Sequence, residues 1–216
     1  MTNKLIVFEG LDGSGKTTLI KQLKKYFKNQ NKKVILCQGL GSSSIGKPIR
    51  NLFLHQTNLS PNTRFLLSLT NMLQTQEELI IPGLSKNYIV LVDRWYDSSF
   101  AYQGDDINLD YGDKILTSKF INHFLIKPNL TIYLDIDPTI GLKRKQTQLN
   151  HKLDLIEQKP LIYFQNVRKN YLNQHKYCNN PNCEHENCNS FLINATQSKN
   201  KIFKQIIKIL TIKKIF

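Results

Sequence analysis

The sequence predicts an α/β fold: a three-layer sandwich in which helices cover both faces of a mostly parallel, five-stranded sheet. Three observations point to it. Short apolar runs alternate with helix-period stretches along the whole chain, and the run at 88–92 lacks the polar alternation of a half-exposed strand. The first run also passes through a glycine-rich turn directly into an amphipathic helix. With 216 residues the chain suits one domain spanning 1–216, with no internal repeat and no linker that divides it.

Lys4 to Glu9 reads as a buried strand, followed by a helix whose apolar face is Leu19, Ile20, Leu23, Tyr26 and Phe27. Val34 to Cys37 is a second strand, and Gly39 to Gly46 is a glycine and serine loop. A long helix is expected from Pro61 to Ile81, with proline at its first position and Pro82 as its stop. Tyr88 to Val92 is a third strand ending at Asp93, Asp113 to Leu125 a helix, and Leu130 to Ile136 a fourth strand. Helices are expected at Pro138 to Lys145 and at Pro160 to Gln174, the latter with Tyr163, Phe164, Val167 and Tyr171 on its apolar face. Phe191 to Ile193 gives the fifth strand, and Lys201 to Phe216 a closing helix through Ile202, Phe203, Ile206, Ile207 and Leu210.

The formal charge is +14, from 30 Lys and Arg against 16 Asp and Glu. A basic surface attracts polyphosphate, but the positive residues are mostly lysine, scattered among many asparagines, with no run long enough to form a nucleic-acid arm. Small anionic substrates suit this pattern better than nucleic acid. No apolar stretch approaches the roughly 20 residues that cross a bilayer, and the run Leu5 to Phe8 is too short for a cleavable signal, so a cytoplasmic protein without a membrane partner is expected. Four cysteines in such a chain argue against a disulfide framework.

Gly10-x-x-x-x-Gly15-Lys16-Thr17 matches the phosphate-loop pattern in full and sits between strand and helix, as that loop requires. Phosphate oxygens need several donors converging from one side, and only a chain with little side-chain bulk wraps its N–H groups that closely. The helix that starts near Lys16 adds its positive end, Lys16 would neutralise the β- and γ-phosphates, and the Thr17 hydroxyl would hold Mg²⁺. This places the sheet in the P-loop NTPase type. A second constellation, Asp93-Arg94-Trp-Tyr-Asp-Ser98-Ser99-Phe-Ala-Tyr102-Gln103-Gly104, follows the third strand and so projects from the carboxyl edge, where open α/β sheets bind ligands. An arginine there could bridge donor and acceptor phosphates; an ordinary Asp–Arg pair at a strand end is the plainer alternative.

FEGLDGSGKTT followed by DRWYDSSFAYQG resembles the bacterial thymidylate kinases, which carry FEGxDGxGKTT and then DR-x-x-x-S-x-x-AYQ. LDIDPTIGLKR resembles the strand and helix before that family's lid, LDLIE its LDRIE, and INATQS the segment closing over adenine. The resemblance implies transfer of the ATP γ-phosphate to dTMP with Mg²⁺, in a homodimer, with a lid near 145–157. It implies that Lys16, Arg94, Asp12 and Asp93 carry the reaction, with Asp12 near the acceptor, Arg94 clamping its phosphate, and Asp93 organising that arginine or Mg²⁺ through water. ATP contacts would come from Gly10, Leu11, Asp12, Gly13, Ser14, Gly15, Lys16, Thr17 and Thr18, with Arg144, Ala195 and Thr196. Acceptor contacts would come from Asp12, Arg94, Ser98, Ser99, Tyr102 and Gln103.

The chain also departs from that pattern. Ser68 and Met72 stand where the family has a phenylalanine that stacks on thymine and an arginine that bonds it, unless a shifted helix register brings Phe65 and Arg64 there. CQGLGSS replaces REPGGT, the lid arginines become the lysine-bearing run Lys145 to Lys152, and Leu155 replaces the LDRIE arginine. Lysine lacks the planar fork of arginine, so a slow enzyme, a kinase for another nucleoside monophosphate, or a nucleotide binder without efficient turnover are the alternatives. Within an insertion at about 175–189, Cys178, Cys183, His185 and Cys188 offer three thiolates and an imidazole for a structural zinc, or else form an ordinary surface segment.

Overall fold

The computed structural model describes residues 4–104, 119, 121–147, 153–179 and 189–215. Strands β1 (Leu5–Glu9), β2 (Val34–Gln38), β3 (Ile89–Asp93), β4 (Leu130–Asp135) and β5 (Ser190–Asn194) form one sheet in the order β2-β3-β1-β4-β5. Every neighbouring pair is parallel, so the sheet is wholly parallel. Parallel pairing demands crossovers. These are supplied by helices α1 (Lys16–Asn29), α2 (Gly46–His55), α3 (Pro61–Thr75), α4 (Ile81–Ser85), α5 (Tyr96–Gln103), α6 (Pro138–Gln146), α7 (Leu161–Cys178) and α8 (Lys199–Ile212). No helix among the described residues is long and apolar enough to cross a membrane.

The period-2 geometry of β1 divides the core. Ile6 and Phe8 join a cluster with Leu19, Leu23 and Phe27 of α1, Phe164 and Val167 of α7, and Ile202 and Ile206 of α8. Leu5 and Val7 join a separate cluster with Phe65, Leu69 and Met72 of α3 and with Trp95. The expected apolar faces of α1, α7 and α8 are therefore the ones buried, with Tyr26, Tyr163, Phe203 and Ile207 only partly covered. Because β1 is central and covered on both sides, the loop after it emerges mid-sheet, at the carboxyl edge between β3 and β4. The ends of α3, α6 and α8 are held by side-chain caps: Ser60 accepts from Thr63 N–H, Asp137 from Thr139 N–H, and Ser198 from Lys201 N–H.

Three expectations need correction or restriction. Pro82 does not stop the long helix, which widens into a π turn at Gln76–Ile80 and continues to Ser85. Proline removes one N–H and crowds the carbonyl four residues back, here Glu78, and that carbonyl lies inside the widened turn. Helix α2 occupies a stretch for which the sequence reading proposed no element; it buries only Gly46, Ile49 and Phe53, too few for a clear period. Of the helix expected at 113–125, Lys119 and Ile121–Phe124 are helical, and most of the rest lies outside the described residues.

The π turn has a structural consequence. It buries the Gln76 side chain, whose amide donates to Phe124 C=O at 2.9 Å and accepts from Ile126 N–H at 2.6 Å. Replacing Gln76 with Ala strands both backbone groups. The free energy of unfolding in urea should fall by about 1–3 kcal/mol, and an unchanged midpoint would show that water replaces the amide.

Candidate active site

The loop between β1 and α1 turns tightly, with Gly13 at φ +77° and Gly15 at φ +92°. It rests backbone to backbone on α6: a Cβ on Gly13 would lie 2.1 Å from Gly141 O. Lys16 is only 6% exposed, and its Nζ curls back to donate to Gly10 C=O at 2.8 Å and Leu11 C=O at 2.9 Å. Burial, helped by Arg94, pushes the Lys16 amine down to about 8 against the pull of Asp12, Asp93 and Glu9.

Arg94 follows β3 in the left-handed region, φ +68°, which a non-glycine residue adopts only when its surroundings demand it. Its N–H is fixed by Phe8 C=O at 2.9 Å, and its carbonyl accepts from Gly39 N–H at 3.0 Å. This backbone turn aims the guanidinium across the carboxyl edge of the sheet. Nη2 donates to Asp12 Oδ1 at 3.0 Å and Tyr102 Oη at 3.1 Å, while Nη1 donates to Tyr171 Oη at 2.9 Å and Ser98 Oγ at 3.3 Å. The Tyr102 ring also lies against the guanidinium, 4.9 Å from centroid to Cζ. Burial alone would raise the Asp12 carboxyl, but Arg94, Lys16 and Lys145 outweigh it and hold it well below the carboxylate range.

Beneath Arg94 lies a group the sequence reading did not select. Glu9, the last residue of β1, is fully buried. It accepts from Trp95 N–H at 2.7 Å, from Ser98 Oγ–H at 2.5 Å and from Tyr171 Oη–H at 3.2 Å. Burial, then the nearby Asp97 carboxylate, pushes Glu9 up to about 7. Asp97 itself is pushed up to about 6 by burial, opposed by a bond from Tyr133. Periodicity could not single out Glu9, because it ends an apolar strand and reads as the strand's polar boundary.

A cavity of about 700 Å³ opens over these elements. Asp12, Gly13, Ser14, Gly15, Lys16, Thr17, Thr18, Asp93, Arg94, Arg144 and Ala195 all line it, as expected. Gly10 and Leu11 stand behind it as the carbonyls that hold Lys16. Arg144 ties Gly13 C=O to Ala195 C=O, at 3.3 and 3.1 Å. Thr196 does not line the cavity, since its hydroxyl turns to Asn194; Gln197 and Lys199 line it instead. Gln38, Leu40, Arg50 and Lys145 line it as well, though the sequence reading assigned them no contact.

The residues after Trp95 behave differently from expectation. Ser98 and Ser99 are buried and do not line the cavity: Ser98 serves Glu9 and Arg94, and Ser99 Oγ lies 2.8 Å from Ser68 Oγ. Tyr102 and Gln103 line a separate cleft of about 260 Å³ shared with Arg64 and Tyr163. Met72 is buried in the core, as is Phe65 beside Phe100, and Arg64 donates to Phe53 C=O and Gln56 C=O. Neither helix register therefore brings an aromatic ring or an arginine of α3 into the main cavity.

Asp93 is not the partner of Arg94. Its Oδ2 accepts from Thr17 Oγ1–H at 2.6 Å, which sets a hydroxyl and a carboxylate side by side at the mouth of the glycine turn. Hard oxygens of this kind suit Mg²⁺, which takes one or two carboxylates together with phosphate oxygens. Cys178 ends α7, whereas Cys183, His185 and Cys188 lie outside the described residues. Among the described residues no group of three or more His, Cys, Asp or Glu gathers as a metal site. Lys145 pairs with Glu157 at 3.0 Å, joining the two described ends of the expected lid.

The family model described as thymidylate kinase matches residues 8–206. The thymidylate kinase of Kosmotoga olearia is 33% identical over 207 residues, covering 94% of this chain and 93% of that protein. That of Bacillus mycoides is 34% identical over 215 residues, covering 97% and 98%. The crystal structure of thymidylate kinase from Ehrlichia chaffeensis superposes with a TM-score of 0.74 at 24% identity, covering 98% of this chain and all of that one, a likeness of fold.

The Arg94 turn depends on Gly39, because a Cβ there would lie 2.3 Å from Arg94 O. Neither backbone can yield without moving the guanidinium. Gly39→Ala should cost about 1–3 kcal/mol of stability by overpacking, read as a lowered urea midpoint; a wild-type midpoint would mean that the turn relaxes freely.

Proposed function

The chain belongs to the thymidylate kinase family, and we propose that it transfers the γ-phosphoryl group of ATP to dTMP, giving dTDP, at the cavity where Lys16 and Arg94 meet. The observation that carries this reading is the Asp12 bridge. One carboxylate in the phosphate loop holds the arginine that follows β3, so the donor-binding turn and the acceptor-facing cation keep a fixed spacing. Phosphoryl transfer needs mainly positioning and charge stabilisation, and such a spacing provides both.

In this reading the N–H groups from Gly13 to Thr18 and the positive end of α1 receive the ATP phosphates. Lys16 leaves its loop carbonyls to meet the β- and γ-oxygens. Thr17 and Asp93 would hold Mg²⁺, which would supply neutralisation of phosphate charge. Arg144, Ala195 and Gln197 form the adenine end. Arg50, which also lines the cavity, would share the acceptor phosphate with Arg94, and Lys145 would reach the transferred group by leaving Glu157. Tyr102, whose hydroxyl reaches Asp12 from the second cleft, would restrict room beside the 2′ carbon of the sugar.

A second reading, a kinase for another deoxynucleoside monophosphate, is favoured by one observation. Ser68 and Ser99 touch and Met72 is buried, so α3 brings no stacking ring and no charged donor to the main cavity. A homodimer completes the proposal, with the exposed apolar side chains Leu52 and Leu66, on helices that pack together, as candidate contacts. Light scattering should return twice the chain mass; a monomer at micromolar concentration would remove this element.

A substrate panel decides between the readings. With ATP and Mg²⁺, kcat/KM should be highest for dTMP among dTMP, dUMP, dCMP and dGMP. Lys16→Ala and Arg94→Ala should each reduce kcat by roughly 10²–10³ without lowering the melting temperature. Preference for another acceptor would install the second reading, and turnover undiminished in either variant would refute the assignment of the site.

A further inference from the structure

We infer that Glu9, which lies outside the cavity, sets the direction of the Arg94 guanidinium by dictating which way two hydroxyl groups point. The inference rests on the reading that Arg94 grips the acceptor phosphate, and it makes Glu9 a positioning residue with no contact to substrate. Glu9 has no exposed surface and is absent from the cavity wall. Its carboxylate nevertheless meets both hydroxyls that receive Arg94 Nη1, those of Ser98 and Tyr171.

Hydrogen-bond direction carries the effect. An ionised carboxylate only accepts. Oε1 takes the Trp95 N–H, whose direction the backbone fixes, and Oε2 takes the Ser98 hydroxyl, while the Tyr171 hydroxyl lies 3.2 Å from Oε2 and 2.7 Å from Ser98 Oγ. With the Ser98 hydrogen drawn down to Oε2 and the Tyr171 hydrogen to Oε2 or to Ser98, both oxygens keep lone pairs for Arg94 Nη1, which donates into them. The other half of the guanidinium is held by Asp12 and Tyr102. Arg94 is thus gripped on two edges, and only one of those edges belongs to the cavity.

A proton on Glu9 reverses this order. It cannot settle on Oε1, which faces a fixed N–H, so it goes to Oε2 and must be accepted by one of the two hydroxyl oxygens. That hydroxyl then turns its own hydrogen either to the other hydroxyl oxygen, 2.7 Å away, or toward Nη1, and in the second orientation it meets Arg94 donor against donor. The charged and titratable groups around Glu9 are Arg94 and Asp97 on the segment after β3, Lys16 on α1, Tyr171 on α7 and Tyr133 on β4. Arg94 favours the ionised form, while burial and Asp97 oppose it and bring the carboxyl up to about 7. Below that pH the grip on Nη1 loosens; above it the grip is complete.

The test compares wild type, Glu9→Gln and Tyr171→Phe in steady-state turnover of dTMP from pH 5.5 to 8.5, with ATP affinity measured separately by a fluorescent ATP analogue. An amide offers one acceptor oxygen to three donors, so Glu9→Gln should lose roughly 10- to 100-fold in kcat/KM for dTMP and keep ATP affinity within about twofold of wild type, because the phosphate loop is untouched. The acceptor phosphate titrates near about 6 in every variant, so the diagnostic is the difference between profiles. Wild type should fall further as pH drops through 7, and Glu9→Gln should lack that extra fall. Tyr171→Phe should show a smaller loss and keep it. If Glu9→Gln does not fold, Tyr171→Phe and Ser98→Ala decide, and wild-type turnover in both overturns the inference. So does a Glu9→Gln enzyme with normal turnover, or one that loses ATP and dTMP affinity alike with an unchanged profile. An inactive Arg94→Ala beside normal Glu9→Gln and Tyr171→Phe sinks only the role of Glu9, whereas an active Arg94→Ala sinks the reading of the site beneath it.

Discussion

The position of the Arg94 guanidinium is the constraint on which the rest of the site depends. A guanidinium presents its donors in one rigid plane, so it can be aimed only by acceptors arranged around that plane. Here four of them come from three separate elements: Asp12 in the phosphate loop, Ser98 and Tyr102 on α5, and Tyr171 on α7. The sheet makes their meeting possible. β1 is central, so the loop that carries Asp12, the turn that carries Arg94 and the strand end that carries Glu9 all emerge along the same stretch of the carboxyl edge.

Close backbone contact supplies the precision that long cationic side chains lack. Gly13 abuts Gly141, and Gly39 abuts Arg94, at distances that leave no room for a Cβ. The first contact fixes the phosphate loop against α6, whose Arg144 reaches back to Gly13 and Ala195. The second fixes the left-handed turn that aims Arg94. A site built this way holds its donors ready, and the energetic cost of gathering like charges is met at folding instead of at each turnover.

How much of this was legible in the sequence differs from element to element. Strands β1 and β3 were readable because burial on both faces leaves a nearly unbroken apolar run, and α1, α7 and α8 because one face repeats at helical spacing. The phosphate loop was readable because its chemistry tolerates so few residues. Helix α2 was not, since two buried hydrophobic residues and an internal proline give no period. The continuation past Pro82 was hidden because a proline looks the same whether a helix stops there or widens before it. At the site, the partner of Asp93 proved to be Thr17, a choice that rests on how two loops cross in space and leaves no trace in their spacing along the chain. Glu9 was passed over for the same reason: a glutamate at a strand end looks like an exposed terminus until the helices that cover it are placed.

The basic character of the chain takes on a different meaning once the charges are located. Of the residues lining the main cavity, Lys16, Arg50, Arg94, Arg144, Lys145 and Lys199 are cationic, and only Asp12 and Asp93 are anionic. A concave surface with that imbalance concentrates polyphosphate without any extended basic face. Like charges so close repel one another, and three of the cations are held by acceptors nearby: Lys16 by loop carbonyls, Arg94 by Asp12 and Lys145 by Glu157.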